Sequence, residues 1–224
     1  LALGVDSGRY RLQGKWAPAQ FMTGKLQRLT VPMVAIRGDA TLKDRLLDGE
    51  LGVSSSELRA VAKGVLDLSA NRYRGMRLGI DLLKPSALFP NMTGKSVRMV
   101  WTLDGPFATA DYSYRLTSDF VRFDETGFTG LHAEGRGRLS PWPMRVPIRL
   151  GAKAITGLGD VAGEMLANPV IEGWLSITPK LVQGQDLRLT SAKWNGKLSL
   201  LIDLVSGRFD VLLSGSMKRY LIPG

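Results

Sequence analysis

The 224 residues carry 30 Lys and Arg against 20 Asp and Glu, a formal net charge of +10, and 44% of them are hydrophobic, enough for a core and for attraction to phospholipid, lipopolysaccharide or nucleic acid. Cysteine is absent and the one histidine is His132, which excludes disulfide frameworks, thiolate sites, cysteine nucleophiles and multi-histidine metal centres. No apolar run approaches the roughly 18 residues of a membrane-spanning helix, and the apolar run at 220–224 reads as the end of a segment cut from a longer protein.

Taken in order, strands are predicted at 1–5, 9–16 and 25–36, the last interrupted by Pro32 at an edge or bulge. Residues 44–48, closed by Gly49, read as one helical turn. At 54–63 two signals compete. Ser54 with Glu57 ahead of Gly64 makes a capping box for a helix, whereas Leu58, Ala60, Ala62, Leu66 and Leu68 alternate; the alternation is preferred and a strand predicted. Further strands follow at 72–83, at Val97, Met99, Trp101 and Leu103, and at Tyr112, Tyr114 and Leu116, with a short helix or turn at 85–90 between two prolines. The succession continues at 120–123, 128–139 and 146–155, with Pro141-Trp142-Pro143 as a stiff connection. A helix is expected at 159–167, capped by Asp160 and ended by Asn168-Pro169, then strands at 170–178 and 181–190.

The clearest pattern is the hairpin at 194–215. Leu198, Leu200, Ile202 and Leu204 alternate before Ser206-Gly207, and Phe209, Val211 and Leu213 alternate after it. A two-residue turn would pair Leu204 with Phe209, Ile202 with Val211 and Leu200 with Leu213. It would also set Asp203 against Asp210, an unfavourable opposition that calls for a basic neighbour or a longer turn. Within this hairpin a phrase of hydrophobic, polar, Gly, any residue, hydrophobic occurs twice, around Gly196 and Gly215, and it recurs around Gly14, Gly38, Gly64, Gly105, Gly135 and Gly173. Glycine inside a strand marks a bulge, a bend or close backbone approach, so the repetition predicts a sheet that curves repeatedly. The fold expected is mainly β: an elongated, curved, antiparallel-rich sheet, folded like a taco or groove and repetitive, with a few short helices.

From about residue 71 to 224 the chain resembles the TamB and AsmA-like family of bacterial envelope proteins, related to the translocation and assembly module and to bridge-like lipid transfer proteins. The likeness rests on LLKPSALFPNMTG (82–94), VRMVWTLDGPFATADYSYRLT (97–117), FDETGFTGL (123–131), ITGLGDVAG (155–163) and LTSAKWNGKLSLLIDLVSGRFDVLLSG with RYLIPG (189–224). Residues 1–70 share only the repeat rhythm, so the chain divides into a repetitive β segment at 1–70 and a TamB-like β-groove segment at 71–224 within one continuous architecture. The resemblance implies a Gram-negative periplasmic segment of an inner-membrane-anchored protein. Its groove would shield phospholipid acyl chains on their way to the outer membrane, and it would support outer-membrane protein assembly with an Omp85-type barrel partner met by other parts of the parent. No catalytic motif comes with it.

The groove also follows from the pattern of the residues, because a greasy sheet face must be covered by a second layer or by something else. The candidate lining is Val97, Met99, Trp101, Leu103, Tyr112, Tyr114, Leu116, Leu198, Leu200, Ile202, Leu204, Phe209, Val211 and Leu213. Arg72, Arg74 and Arg77 form the densest basic group and are candidates for anionic head-group contact. The plain alternative is a dry sandwich core. No enzyme, cofactor or metal site is expected: Ser54-Ser55-Ser56 lacks a nucleophile elbow, the carboxylates show no paired-acid context, and Gly135-Arg136-Gly137 lacks the helix of a phosphate loop. Rival readings are a structural β-solenoid or autotransporter-like stalk and a basic nucleic-acid-binding barrel; nucleic acid is not expected, since aromatics are only faintly interleaved with the basic residues.

Overall fold

A computed structural model describes residues 2–6 and 8–217. Sixteen strands form one sheet: β1 (Ala2–Asp6), β2 (Arg9–Trp16), β3 (Val34–Lys43), β4 (Leu46–Ser54), β5 (Leu58–Asp67), β6 (Arg72–Leu82), β7 (Met92–Lys95), β8 (Val97–Pro106), β9 (Asp111–Phe123), β10 (Thr126–Arg138), β11 (Met144–Gly151), β12 (Ala154–Thr156), β13 (Val170–Ile177), β14 (Leu181–Thr190), β15 (Trp194–Asp203) and β16 (Phe209–Met217). The spatial order is sequential from β1 to β6, β8 to β11 and β13 to β16, while β7 and β12 lie on the far halves of the long strands β9 and β10. Among the described residues every pairing is antiparallel, and the path from β1 to β16 does not close. The helical elements among the described residues are α1 (Gly24–Thr30), α2 (Asp160–Met165) and short 3-10 turns at Pro18–Gln20 and Pro85–Ala87. The division expected at residues 70 and 71 falls in the β5–β6 turn, across which Asp67 pairs with Arg72 in the same sheet.

Register carries one apolar face through the path. Leu12 meets Gly38, Gly38 meets Leu51, Leu51 meets Ala62 and Ala62 meets Leu78. Leu78 meets Trp101, Trp101 meets Tyr114 and Tyr114 meets Gly135. Beyond β11 the same face holds Val146 and Leu175, then Leu187 and Leu198, then Leu213. Because side chains alternate with period two, the opposite face takes the charges. Directly opposed pairs there include Arg98 with Asp81 at 3.4 Å, Arg115 with Glu134 at 3.2 Å and Arg149 with Glu172 at 2.7 Å. These exposed pairs contribute about 0–1 kcal/mol each and chiefly keep that face wet.

The repeated glycines sit on the apolar face, where the sheet bends. Gly64 and Gly173 stand at register shifts with positive φ of 147° and 154°. Gly196 and Gly215 leave room for the Trp194 indole, which a Cβ at either would approach within 2.5–2.6 Å. The resulting curl is large. Phe209 at the start of β16 lies 6.1 Å, ring to ring, from Phe123 at the end of β9, although six strand spacings of a flat sheet would separate their strands by about 29 Å. At the same corner, Lys25 of α1 donates to the Leu204 carbonyl and stands 3.7 Å over the Phe89 ring, and Arg28 donates to the Ala87 carbonyl at 3.0 Å.

Four expectations are corrected. Residues 25–36 are not one strand: Leu26 and Leu29, three apart, belong to α1, and β3 begins only after Pro32. Residues 44–48 are not a helical turn: Asp44 and Arg45, with φ of 50° and 61°, make the two-residue turn between β3 and β4. In the last hairpin Ile202 faces Phe209, Leu200 faces Val211 and Leu198 faces Leu213. That register lies two residues from the one expected, so the faces are kept and the turn is longer. Asp203 escapes Asp210 by capping the turn, its carboxylate accepting from the Val205 and Ser206 N–H groups at 2.7 and 3.2 Å. Finally, the cap of α2 is Gly159 with φ +79°, not Asp160, which is the first helical residue.

Burial is uneven. Of the 16 buried hydrophobic residues described, only Val34 precedes residue 85. The core gathers Leu175, Val182, Leu187, Leu189, Trp194 and Leu198 under Met165 and Leu166, with a second cluster of Tyr112, Met144 and Val146.

Candidate functional site

The apolar face of β2 to β6 forms a trough of about 330 Å³. Its floor is made of the smallest side chains available: Gly38 and Ala40 from β3, Gly49 from β4, Ala62 and Gly64 from β5. Larger residues border it, namely Tyr10, Leu12, Leu47, Leu51, Leu66 and Met76. Asp39 and Glu50 also adjoin it, but their carboxylates pair with Arg9 and Lys63 on the other face. Leu51 is 43% exposed. Each of β2 to β6 is paired on both sides, so apart from the register shift at Gly64 the floor offers hydrocarbon with its peptide groups already engaged by neighbouring strands.

The fourteen lining candidates divide by environment. Tyr112 and Leu198 are buried in the two clusters; Trp101, Leu103 and Tyr114 pack against one of these, and Leu200, Ile202 and Leu204 against the other. Val97, Met99 and Leu116 are half-buried on the central strands. Phe209, Val211 and Leu213 are exposed on β16 at one end of the sheet. All but Leu204, which lies in the β15–β16 turn, occupy strands whose apolar positions share one face, yet most of the C-terminal ones cover each other. The trough is not legible as a site because the Asp44-Arg45 turn has no glycine and the helical turn expected at 44–48 overlaps the start of β4; the Gly phrases at Gly38 and Gly64 and the alternation from Leu58 to Leu68 mark its strands but not its openness.

The three basic candidates are placed differently. The Arg74 guanidinium is bonded to Asp67, which is 2% exposed and also accepts from the Ser69 hydroxyl and the Ala70 N–H. Those hydrogen bonds, led by Ser69, hold the Asp67 carboxyl well below the usual carboxylate range. Arg72 approaches Asp104 at 3.9 Å. Arg77 borders a cavity of about 530 Å³ on the charged face together with Arg115, Arg136 and Arg149.

Beneath that cavity the sheet divides. Pairing of β10 with β11 extends only from His132 to Glu134. Past it, the Tyr114 hydroxyl donates to the Pro147 carbonyl at 2.8 Å. Gly135 permits this, since a Cβ there would come within 2.6 Å of the Tyr114 ring. Burial, and secondarily the neighbouring Tyr112, push the Tyr114 phenol up to about 12. Tyr112 meets Trp101 edge to face at 5.8 Å, and the Tyr112 hydroxyl and Trp101 indole N–H are buried without a partner among the described residues.

Among the described residues there is no cluster of three or more metal-ligating side chains and no helix long and apolar enough to cross a membrane. No protein-family model, curated protein or solved structure matches the chain.

Proposed function

We propose that this chain is a lipid-shielding β-groove, a periplasmic segment of a TamB-like protein whose trough takes phospholipid acyl chains during transport toward the outer membrane. The observation that carries the reading is the uncovered trough of β2 to β6, with its floor of Gly and Ala and with each of its strands paired on both sides. A protein segment laid across that floor would bury peptide groups without partners, at a cost of about 1–3 kcal/mol each. Hydrocarbon has no such groups. Each methylene withdrawn from water contributes about 0.8 kcal/mol, and because the attraction has no direction a chain can shift along the groove without breaking a specific bond. The residues then act by excluding water, with no catalytic step. Anchoring in the inner membrane and support of barrel assembly through an Omp85-type partner belong, on this proposal, to other parts of the parent protein.

The test is to strip the purified protein of lipid, add phospholipid and examine it by native mass spectrometry. Retained phospholipid, displaced by a competing fatty acid, is the expected result. A protein that takes up none would favour the structural stalk.

A further inference from the structure

The cavity on the charged face is independent of what fills the trough. One cross-strand row runs Arg77, Thr102, Ser113, Arg136 over β6, β8, β9 and β10. The two arginines thus stand three strand spacings apart, about 14 Å between backbones. Midway, the Thr102 and Ser113 hydroxyls touch each other at 2.7 Å. In the adjacent row Arg115 is paired with Glu134 and Arg149 with Glu172. Among the described residues neither Arg77 nor Arg136 has an ion-pair or hydrogen-bond partner, although each lies on a face where most basic neighbours are matched across the strands.

We propose that this cavity is a binding site for a phosphate group, seated over the Thr102–Ser113 hydroxyl pair and gripped from both sides by Arg77 and Arg136. Guanidinium forks are suited to phosphate oxygens. Donors arriving from two opposite sides and from the floor match a tetrahedral group with several acceptor oxygens better than a planar carboxylate. The pairing of Arg115 and Arg149 with glutamates leaves the excess positive charge on the two arginines at the ends of that row, both of which line the cavity. The group can be free inorganic phosphate or the phosphate of a lipid head group.

The experiment compares the full chain with Arg77→Gln and Arg136→Gln, and with Arg59→Gln and Arg188→Gln as exposed, charge-matched controls elsewhere on the sheet. Inorganic phosphate is titrated by calorimetry, and vesicles of phosphatidylglycerol are compared with vesicles of phosphatidylcholine by sedimentation. The site predicts that Arg77→Gln or Arg136→Gln weakens binding at least about tenfold while the controls change it less than about twofold. Loss with inorganic phosphate identifies a free-phosphate site; loss only with phosphatidylglycerol vesicles identifies a head-group site. No binding of either probe, or equal losses in site and control variants, would overturn the proposal. Lipid uptake by the trough is read separately by mass spectrometry, so failure of one proposal leaves the other standing.

Discussion

The Tyr114 hydroxyl donates to the Pro147 carbonyl across the gap where β10 and β11 part, replacing a ladder hydrogen bond with a side chain. Tyr114→Phe leaves that carbonyl without its donor and should destabilise the fold by about 1–3 kcal/mol in urea unfolding. The raised phenol adds an alkaline signature. Above pH 10 the unfolded chain releases the proton while the folded one holds it up to about 12. The stability is therefore complete below pH 10 and falls as pH rises toward 12. Tyr114→Phe should flatten that decline, and an unchanged alkaline limb would show that the hydroxyl is not buried as described.

Leu187 and Val211 separate covered from uncovered parts of the same face. Leu187 is 1% exposed and Val211 47%. Leu187→Ala should cost about 2–5 kcal/mol and Leu187→Asp should abolish the folded circular dichroism spectrum. Val211→Arg should leave stability within about 0.5 kcal/mol.

Ala62 tests whether the trough is space or packing. In a filled core, Ala62→Phe would force strain of about 1–3 kcal/mol. Where the 330 Å³ is open, the same ring should fit with no loss of melting temperature while reducing phospholipid uptake. A large loss of stability would mean that the floor is already covered.

Asp67 should contribute to the acid limb. Its carboxyl titrates below the ordinary 3.8 because Ser69, the Ala70 N–H and Arg74 all favour the charged form. Its contribution is complete above the unfolded value and disappears as pH falls below about 4. Asp67→Asn should lower the melting temperature at pH 7 and reduce its acid dependence, measured by differential scanning calorimetry.

Much of the β architecture was legible because alternation survives in residues such as Met76, Leu78 and Ile80, and Val97, Met99 and Trp101, whatever their later burial. Within 54–63 the alternation marks a strand from Leu58 on, while Ser55 to Glu57 form the connection before it, with the Ser55 hydroxyl accepting from the Glu57 and Leu58 N–H groups. Alternation cannot fix register. The last hairpin slipped by two because Asp203 caps a turn longer than Ser206-Gly207 alone would suggest. Nor does alternation reveal coverage: Leu198 and Leu213 are cross-strand partners with the same pattern, but one is buried and the other exposed. That difference arises from curl and from α2, both long-range. The cavity between Arg77 and Arg136 was illegible for a similar reason, since a row across four strands leaves no local spacing in the chain.

The most direct measurement places a photo-crosslinking residue at Leu51 in the trough or at its neighbour Glu50, which points to the charged face, and illuminates each protein in phospholipid. The account predicts a phospholipid adduct at position 51 and almost none at 50. Equal labelling of the two positions, or none at 51, would contradict it.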